Sequence, residues 1–372
     1  MAQLANPSVL CVNQLLWTGA ALCGGTQLLG FIHGYVLQTE ALFDTIGGLN
    51  FLAMIPLAYF QSQANNDDPR KITMTTLFAL SRMWLLLFLC YRVRLRDGDS
   101  RFEEIKKSFC KFLITWMMQA FWVFAISMPL LVVLGAQFRT EFRWYDYVFA
   151  ATFSIGLLLQ ISSDIIKAKW VANGRPGGIC KIGPWAWSRH PNYFGEILMW
   201  FSAWAFTWPL VRGFEQSFPG GMFQKWFLVY MIIAGLSPCL TCVLLMCVSG
   251  LPTCEGKNLK RYYTNPNLVD DYKEYRQSSF MLVPFPGGKC FPLVLKRIFC
   301  CEWPMYDFKE EELDDEEKML TSTKSKRSSS ASQRSRSGGS QNASLTMSQQ
   351  PGVGAGDSYY VRTANGSVVQ RA

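Results

Sequence analysis

From Trp185 to Glu196 the sequence runs Trp-Ala-Trp-Ser-Arg-His-Pro-Asn-Tyr-Phe-Gly-Glu, placing Arg189, His190, Asn192, Tyr193 and Glu196 within eight residues. His190 is one of only two histidines in the 372-residue chain. A guanidinium, an imidazole, an amide, a phenol and a carboxylate so close together can hold a polar, charged ligand. Pro191 suits the first turn of a helix, whose free N–H groups and positive dipole end favour an anion such as phosphate. Glu196 falls four residues past Asn192 on the same helix face, and the apolar run after it carries this carboxylate to the edge of hydrocarbon. Such placements are costly and mark function. The plainer reading is a polar helix cap beside a membrane, with Arg189 and Tyr193 as interfacial anchors.

Further polar groups recur at helical spacing upstream. Gln160, Asp164 and Lys167 lie four and three residues apart, so one helix face points all three in the same direction. The Gly-rich stretch Asn173-Gly-Arg-Pro-Gly-Gly178, flanked by Lys181 and Arg189, can cradle phosphate or be an ordinary turn. Asp44 and Arg82 are opposite charges within apolar segments, which invites them to pair with each other or with a ligand. After position 250 the chain offers Lys260, Arg261, Tyr262 and Tyr272, residue types that pair with phosphate and stack on aromatic rings.

The elements that must position these groups are membrane helices. Half of the residues are hydrophobic. They gather in runs near 9–35, 42–61, 72–91, 112–136, 145–166, 193–211 and 226–249, each near the ~20 residues that cross a bilayer as a helix. The expected fold is all-α, a polytopic membrane bundle of about seven spans with a short cytoplasmic helical cap. Ser237-Pro238 marks an interruption in the last span. No Lys or Arg precedes Arg70, so a signal peptide is not expected. Arg92 to Lys111 and Lys167 to Arg189 are strongly basic loops, and the positive-inside rule makes them and the C-terminal tail cytoplasmic. The net charge of +9 is then a topology signal, and nucleic acid is not an expected partner. The domain is expected to cover 1–302. Residues 303–372, acidic and then rich in Ser, Arg and Gly, form a disordered cytoplasmic tail in which the sequons at Asn342 and Asn365 stay unused. Cys300 and Cys301, after a basic apolar segment, suggest palmitoylation. Cys239-x-x-Cys242 reads as buried thiols rather than a metal or redox pair.

Ser188-Arg-His-Pro-Asn-Tyr-Phe-Gly-Glu196, Asp164-x-x-Lys167, the loop Arg96 to Phe102, Gly250-x-Pro252, Tyr272-x-x-Tyr275 and Pro284-x-Pro286 together resemble the steroid 5-alpha-reductase C-terminal-domain family. Within it, the match is to a branch of poorly characterised multispanning proteins, over roughly residues 40–290. The resemblance implies a helical membrane reductase, in the endoplasmic reticulum, that binds NADPH at its cytoplasmic side. The implied reaction reduces a carbon–carbon double bond in a lipid or sterol-like substrate. It implies cofactor contacts for Gln160, Asp164, Asn192, Glu196 and Tyr272, with Arg96 a matching basic position. Lys167, Arg189, His190, Tyr193 and Arg261 join that set by their neighbourhood. Trp84 stands where relatives carry an arginine, with Arg82 two residues away.

Hydride chemistry leaves the protein to supply an acid, for which Asp44 and Tyr91 are the candidates. A methyltransferase of the isoprenylcysteine carboxyl type shares the Arg-His-Pro-x-Tyr-x-Gly core and uses S-adenosylmethionine. It usually has a Glu-Glu pair where this chain has Cys254-Glu255. A non-catalytic lipid-binding membrane protein is the third reading.

Overall fold

The computed structural model describes residues 7–62, 67–94, 102–217, 222–309, 359–362 and 368–371, and the structural statements that follow concern these. The helices are α1 (Pro7–Leu37), α2 (Phe43–Ser62), α3 (Pro69–Arg94), α4 (Phe102–Ile105), α5 (Phe109–Gly135), α6 (Trp144–Ala172), α7 (Pro191–Ala205), α8 (Pro209–Ser217), α9 (Met222–Ala234), α10 (Leu236–Val243), α11 (Leu251–Cys254), α12 (Lys260–Tyr263), α13 (Val269–Ser278) and α14 (Leu293–Phe299). Prolines open α3, α7 and α8, where the missing N–H costs nothing. Six helical segments are long and apolar enough to cross a membrane: Pro7–Leu37, Phe43–Ser62, Pro69–Val93, Phe109–Gly135, Trp144–Ala172 and Phe227–Cys254. A polytopic helical bundle is therefore the fold, and it fits an integral membrane protein.

The seventh apolar run, 193–211, is not one long helix. Its α7 has 15 residues, about 22 Å of rise against the ~30 Å of a bilayer core. The chain turns over Phe206–Trp208 and restarts at Pro209, so the expected count of about seven becomes six segments long enough to span and one too short. Gly213 of α8 packs against Phe138 and Thr140 in the loop between α5 and α6. The interruption expected at Ser237-Pro238 is a helix break at Gly235, followed by a π-helical turn over Leu244–Val248.

The two ends of the bundle differ. At one, Arg70 is buried against Asp146, with Nε and Nη2 donating to the carboxylate at 3.0 and 2.8 Å, and Lys71 Nζ donates to Leu134 O at 2.9 Å. The other end collects the basic loops. There Lys106 pairs with Glu40 at 3.1 Å, and Lys181 with Asp271. Between the ends, α6 and α7 lie against each other through Gly156 and Gly195: a Cβ on either would come within 2.7 Å of the other's carbonyl oxygen. This contact fixes the depth of α7 beside α6, and hence of every polar group on it.

Beyond α11 a cap of short helices covers the basic end. Its edge runs past the expected boundary at 302. Tyr306 is buried, Phe308 stacks on Tyr263 with centroids 4.5 Å apart, and Asp307 binds Arg276 at 2.9 Å, so the packed domain extends to Phe308. Within the segment read as disordered, Tyr359–Arg362 pairs antiparallel with Val368–Arg371. Their β-branched and aromatic residues favour an extended chain.

Candidate functional site

Three helices meet around Glu196. The spacing that puts it four residues after Asn192 also puts Trp200 four residues later, and Trp200 Nε1 donates to Glu196 Oε1 at 2.8 Å. Arg82 of α3 donates to the same oxygen at 3.0 Å, and Gln160 Nε2 of α6 donates to Oε2 at 2.6 Å. Arg82 is fully buried, its guanidinium 4.5 Å from the Trp200 ring and 5.1 Å from the Phe51 ring. A cation enclosed by two aromatic faces and one carboxylate tolerates loss of water far better than a bare one. Of Asp44 and Arg82, which were expected to pair with each other or with a ligand, Arg82 pairs instead with Glu196, whose ion partner it is.

One turn towards the basic end, Asp164 accepts from Asn192 Nδ2 at 3.3 Å and from Trp84 Nε1 at 3.4 Å. Both amide side chains thus turn their NH2 groups to a carboxylate, which fixes the direction of their oxygens. Gln160 Oε1 and Asn192 Oδ1 are buried without a hydrogen-bond partner, as is Arg82 Nη1. Gln160, Asp164, Asn192 and Glu196 therefore form one constellation.

Arg189 and His190 belong elsewhere. The backbone N–H groups of Arg189 and His190 donate to Phe280 O and Met281 O at 2.9 and 3.1 Å, and Ser188 Oγ donates to Leu282 O at 2.8 Å. This ties the signature strand-wise to the cap and turns both side chains into it. Arg189 Nη2 donates to Glu302 Oε1 at 2.6 Å, Arg189 Nε lies 3.5 Å from Glu255 Oε1, and His190 Nε2 is 2.8 Å from that same oxygen. Arg276 closes the set, 3.3 Å from Glu302 and 2.9 Å from Asp307. Burial works against ionising Glu255, but Arg189, His190 and Arg276 outweigh it and hold its carboxyl below the ordinary value of 4.5. Arg189 is likewise raised, burial opposing and Glu255 and Glu302 prevailing.

The other expected contacts scatter around these two groups. Tyr193 stacks on His190 with centroids 5.1 Å apart, between the clusters, its Oη 3.8 Å from Cys254 Sγ. Lys167 Nζ lies 4.5 and 4.6 Å from the rings of Trp170 and Trp185. In the cap, Arg261 sits over Tyr262, which stacks on Tyr272 at 4.1 Å; burial pushes the Tyr272 phenol well above its ordinary value. Arg96 lies outside the described residues. Thr45 Oγ1 is 3.9 Å from Cys90 Sγ, which sets the turn carrying Asp44 beside the turn carrying Tyr91. Trp84, Phe88 and Tyr91 stack along α3, leading from Asp164 to the basic end. Of the cysteines suggested for acylation, Cys300 is buried and Cys301 half-buried, because the chain folds back there to bring Glu302 to Arg189.

Sequence reasoning missed Trp200, Phe51, Arg276 and Glu302. Trp200 had a signal in its helical spacing from Glu196; Glu302 had none, since only the fold of the cap brings it to the signature.

Residues 30–279 match the sequence model of a family described as a protein of unknown function, DUF1295. No curated protein and no solved structure matches the chain. The family match covers about two thirds of the sequence, and the chain belongs to the DUF1295 family.

Proposed function

We propose that the protein is a membrane oxidoreductase that binds NADPH at the basic end of the bundle and reduces a carbon–carbon double bond in a lipid or sterol-like substrate. In this reading the basic end and the tail face the cytoplasm, in the endoplasmic reticulum, and the kinship is with the steroid 5-alpha-reductase group.

The observation that carries the reading is the set of polar atoms left over around Asp164 and Glu196. Gln160 Oε1 and Asn192 Oδ1 are acceptors, and Arg82 Nη1 is a donor. A primary carboxamide, the polar arm of a nicotinamide, offers two N–H donors and one carbonyl acceptor, so the residues present fit that group. Positive charge for phosphates lies close by. The turn after α6 holds Gly174, Arg175, Gly177 and Gly178 at positive φ, and a Cβ on Gly174 or Gly177 would meet nothing within 4 Å. Lys167, Lys169, Arg175 and Arg261 are the cations for the diphosphate and the 2′-phosphate.

Bound NADPH supplies a hydride; the protein's part is to place the acceptor and deliver a proton. Tyr91, whose hydroxyl makes no hydrogen bond among the described residues, and the neighbouring Asp44 are the groups we assign to holding that proton. Glu196, saturated by Arg82, Gln160 and Trp200, acts as a positioning residue that aims Gln160. Against the methyltransferase reading stands Glu255, enclosed by Arg189 and His190 at 3% side-chain exposure.

Calorimetric titration of the detergent-purified full chain with NADPH, NADH and S-adenosylmethionine tests this. NADPH should bind well over tenfold more tightly than NADH, through charge-assisted contacts of about 1.5–3 kcal/mol each at the 2′-phosphate. S-adenosylmethionine should not bind. Binding of S-adenosylmethionine alone would install the methyltransferase reading, and binding of none of the three would favour the non-catalytic one.

A further inference from the structure

In the cap, α14 is built inside out for a helix that faces water. Its central Lys296 is buried, and Nζ donates to Gln277 O at 2.7 Å and to Ser279 O at 3.2 Å beside the Phe280 ring. Cys300, four residues on, is buried on the same side. The outer face then carries Leu293, Val294, Leu295 and Ile298, exposed by 53, 65, 38 and 64%. A lysine turned in and four aliphatic chains turned out reverse the usual distribution, and an apolar patch of this kind marks a contact surface. No part of the reductase reading uses it.

The position of α14 identifies the partner. Met281 and Leu282, before it, and Tyr306, after it, share one buried cluster with Met246 and Leu251, and Cys301 packs there too. Tyr306 Oη donates to Met246 O. The last apolar segment begins at Phe227, and the ~20 residues of a span counted from there end at Met246, at the boundary of the hydrocarbon. The chain on both sides of α14 is thus pinned where a membrane helix leaves the bilayer. Charge agrees: residues 285–301 include Lys289, Lys296 and Arg297 and no acid. Lys289 is paired with Glu274 and Lys296 is turned inward, which leaves exposed Arg297 beside the apolar face for a lipid phosphate. The face itself is aliphatic, without the aromatic anchors and hydrogen-bonding groups that fix a protein partner. Fluid hydrocarbon needs neither.

We infer that α14 is a membrane-docking helix of the cap, with Leu293, Val294, Leu295 and Ile298 set into the head-group boundary of the leaflet at the basic end. The cap then rests on the same bilayer that its spans cross. Glu302 N–H donates to Lys296 O at 3.3 Å, so whatever holds α14 also holds the carboxylate that reaches Arg189. The docking surface goes beyond the reductase reading and does not depend on it.

The test uses the full-length protein in nanodiscs of phosphatidylcholine and phosphatidylserine, with a fluorescent amino acid encoded at Val294 or, as a polar reference in the cap, at exposed Asn267. Lipids brominated near the head group should quench the probe at 294 several-fold more than the probe at 267, and aqueous iodide should do the reverse. Leu293→Gln, Leu295→Gln and Ile298→Gln together alter exposed side chains only, so this variant should melt like the parent in detergent while losing the bromolipid quenching at 294. Should it fold poorly, the contrast between bromolipid and iodide in the parent decides alone. A probe at 294 that iodide reaches and bromolipid does not would put the face in water. One shielded from both would mean that protein covers it, a second copy or another segment of the chain. Either result overturns the proposal, as does bromolipid quenching that survives the triple substitution.

Discussion

Two clusters grow from one signature, and they differ in what they leave over. Arg189 and His190 sit in the cap cluster at 3% and 9% side-chain exposure, where two arginines face Glu255, Glu302 and Asp307. Three residues on, Asn192 is half-buried and Glu196 is 14% exposed, and the amides around them present acceptors without a partner among the described residues. The first cluster matches charge with charge between segments far apart in sequence, 189 against 255, 276 and 302. The second joins α3, α6 and α7 and leaves Arg82 Nη1, Gln160 Oε1 and Asn192 Oδ1 buried without a partner among the described residues. A single motif therefore has two surroundings: its first half pairs with the cap, and its second half joins the bundle helices and leaves buried polar atoms unpartnered among the described residues.

Breaking the clamp should have the largest effect. Arg189→Ala leaves Glu255 and Glu302 buried with Arg276 and His190 as their remaining partners, and removing one member of a buried pair costs roughly 3–5 kcal/mol. The cap should loosen as a unit. Limited proteolysis should then cut between 255 and 300 in the variant well before it cuts the parent, with a clear fall in melting temperature. Unchanged proteolysis would mean that the backbone pairing of 188–190 with 280–282 holds the cap alone.

Glu196→Gln comes next. The amide keeps the volume and can still accept from Trp200, but it leaves Arg82, fully buried, without its anion. The expected loss is smaller than for Arg189, yet still a few kcal/mol. Combining it with Arg82→Met should recover much of that loss, because cation and anion then leave together. Simple additivity of the two substitutions would show that they do not act as a pair.

The same contrast explains what could be read from the sequence. Apolar runs carried the bundle, because bilayer thickness imposes a length on each span. Helical periodicity put Gln160 with Asp164, and Asn192 with Glu196, on one face of each helix; that the two faces belong together was implied only by the family resemblance. Arg82 was visible as a charge in an apolar run, but its partner was not: choosing between Asp44 and Glu196 needs the helix packing, which Gly156 and Gly195 set. Glu302 and Arg276 were illegible for a related reason, since the short helices and turns of the cap have no periodicity to reveal what they face. The break at Phe206–Trp208 escaped because an apolar run reads the same whether its helix is straight or interrupted.

Acid should separate the clusters as well. Glu255 has a folded pKa below its ordinary 4.5, burial opposing and Arg189 foremost among the groups that lower it. A carboxylate depressed by folding stabilises in full above its unfolded pKa, and that stabilisation disappears as pH falls through the folded value. The melting temperature should therefore be insensitive to this group from neutrality down to about pH 4.5 and fall below it. Glu255→Gln should melt lower at neutral pH and show a shallower acid limb. An acid limb identical in parent and variant would remove Glu255 from the groups that hold the cap.

The smallest effect on stability, and the most direct test of what the second cluster is for, belongs to Asn192. Its NH2 donates to Asp164 at a long 3.3 Å, and its oxygen has no partner among the described residues. Asn192→Leu therefore removes one weak hydrogen bond and one orphaned acceptor, changes that offset each other to within about 1 kcal/mol. Its melting temperature without nucleotide should stay close to that of the parent. If the orphaned oxygen accepts from a nicotinamide carboxamide, NADPH affinity should fall by roughly tenfold, the equivalent of one hydrogen bond of about 1.4 kcal/mol. Arg189→Ala would depress stability first and affinity only as a consequence, so the two variants should fall on opposite sides of a plot of affinity against melting temperature. An Asn192→Leu protein that melts and binds NADPH like the parent would mean that this half of the signature, like the first, serves packing.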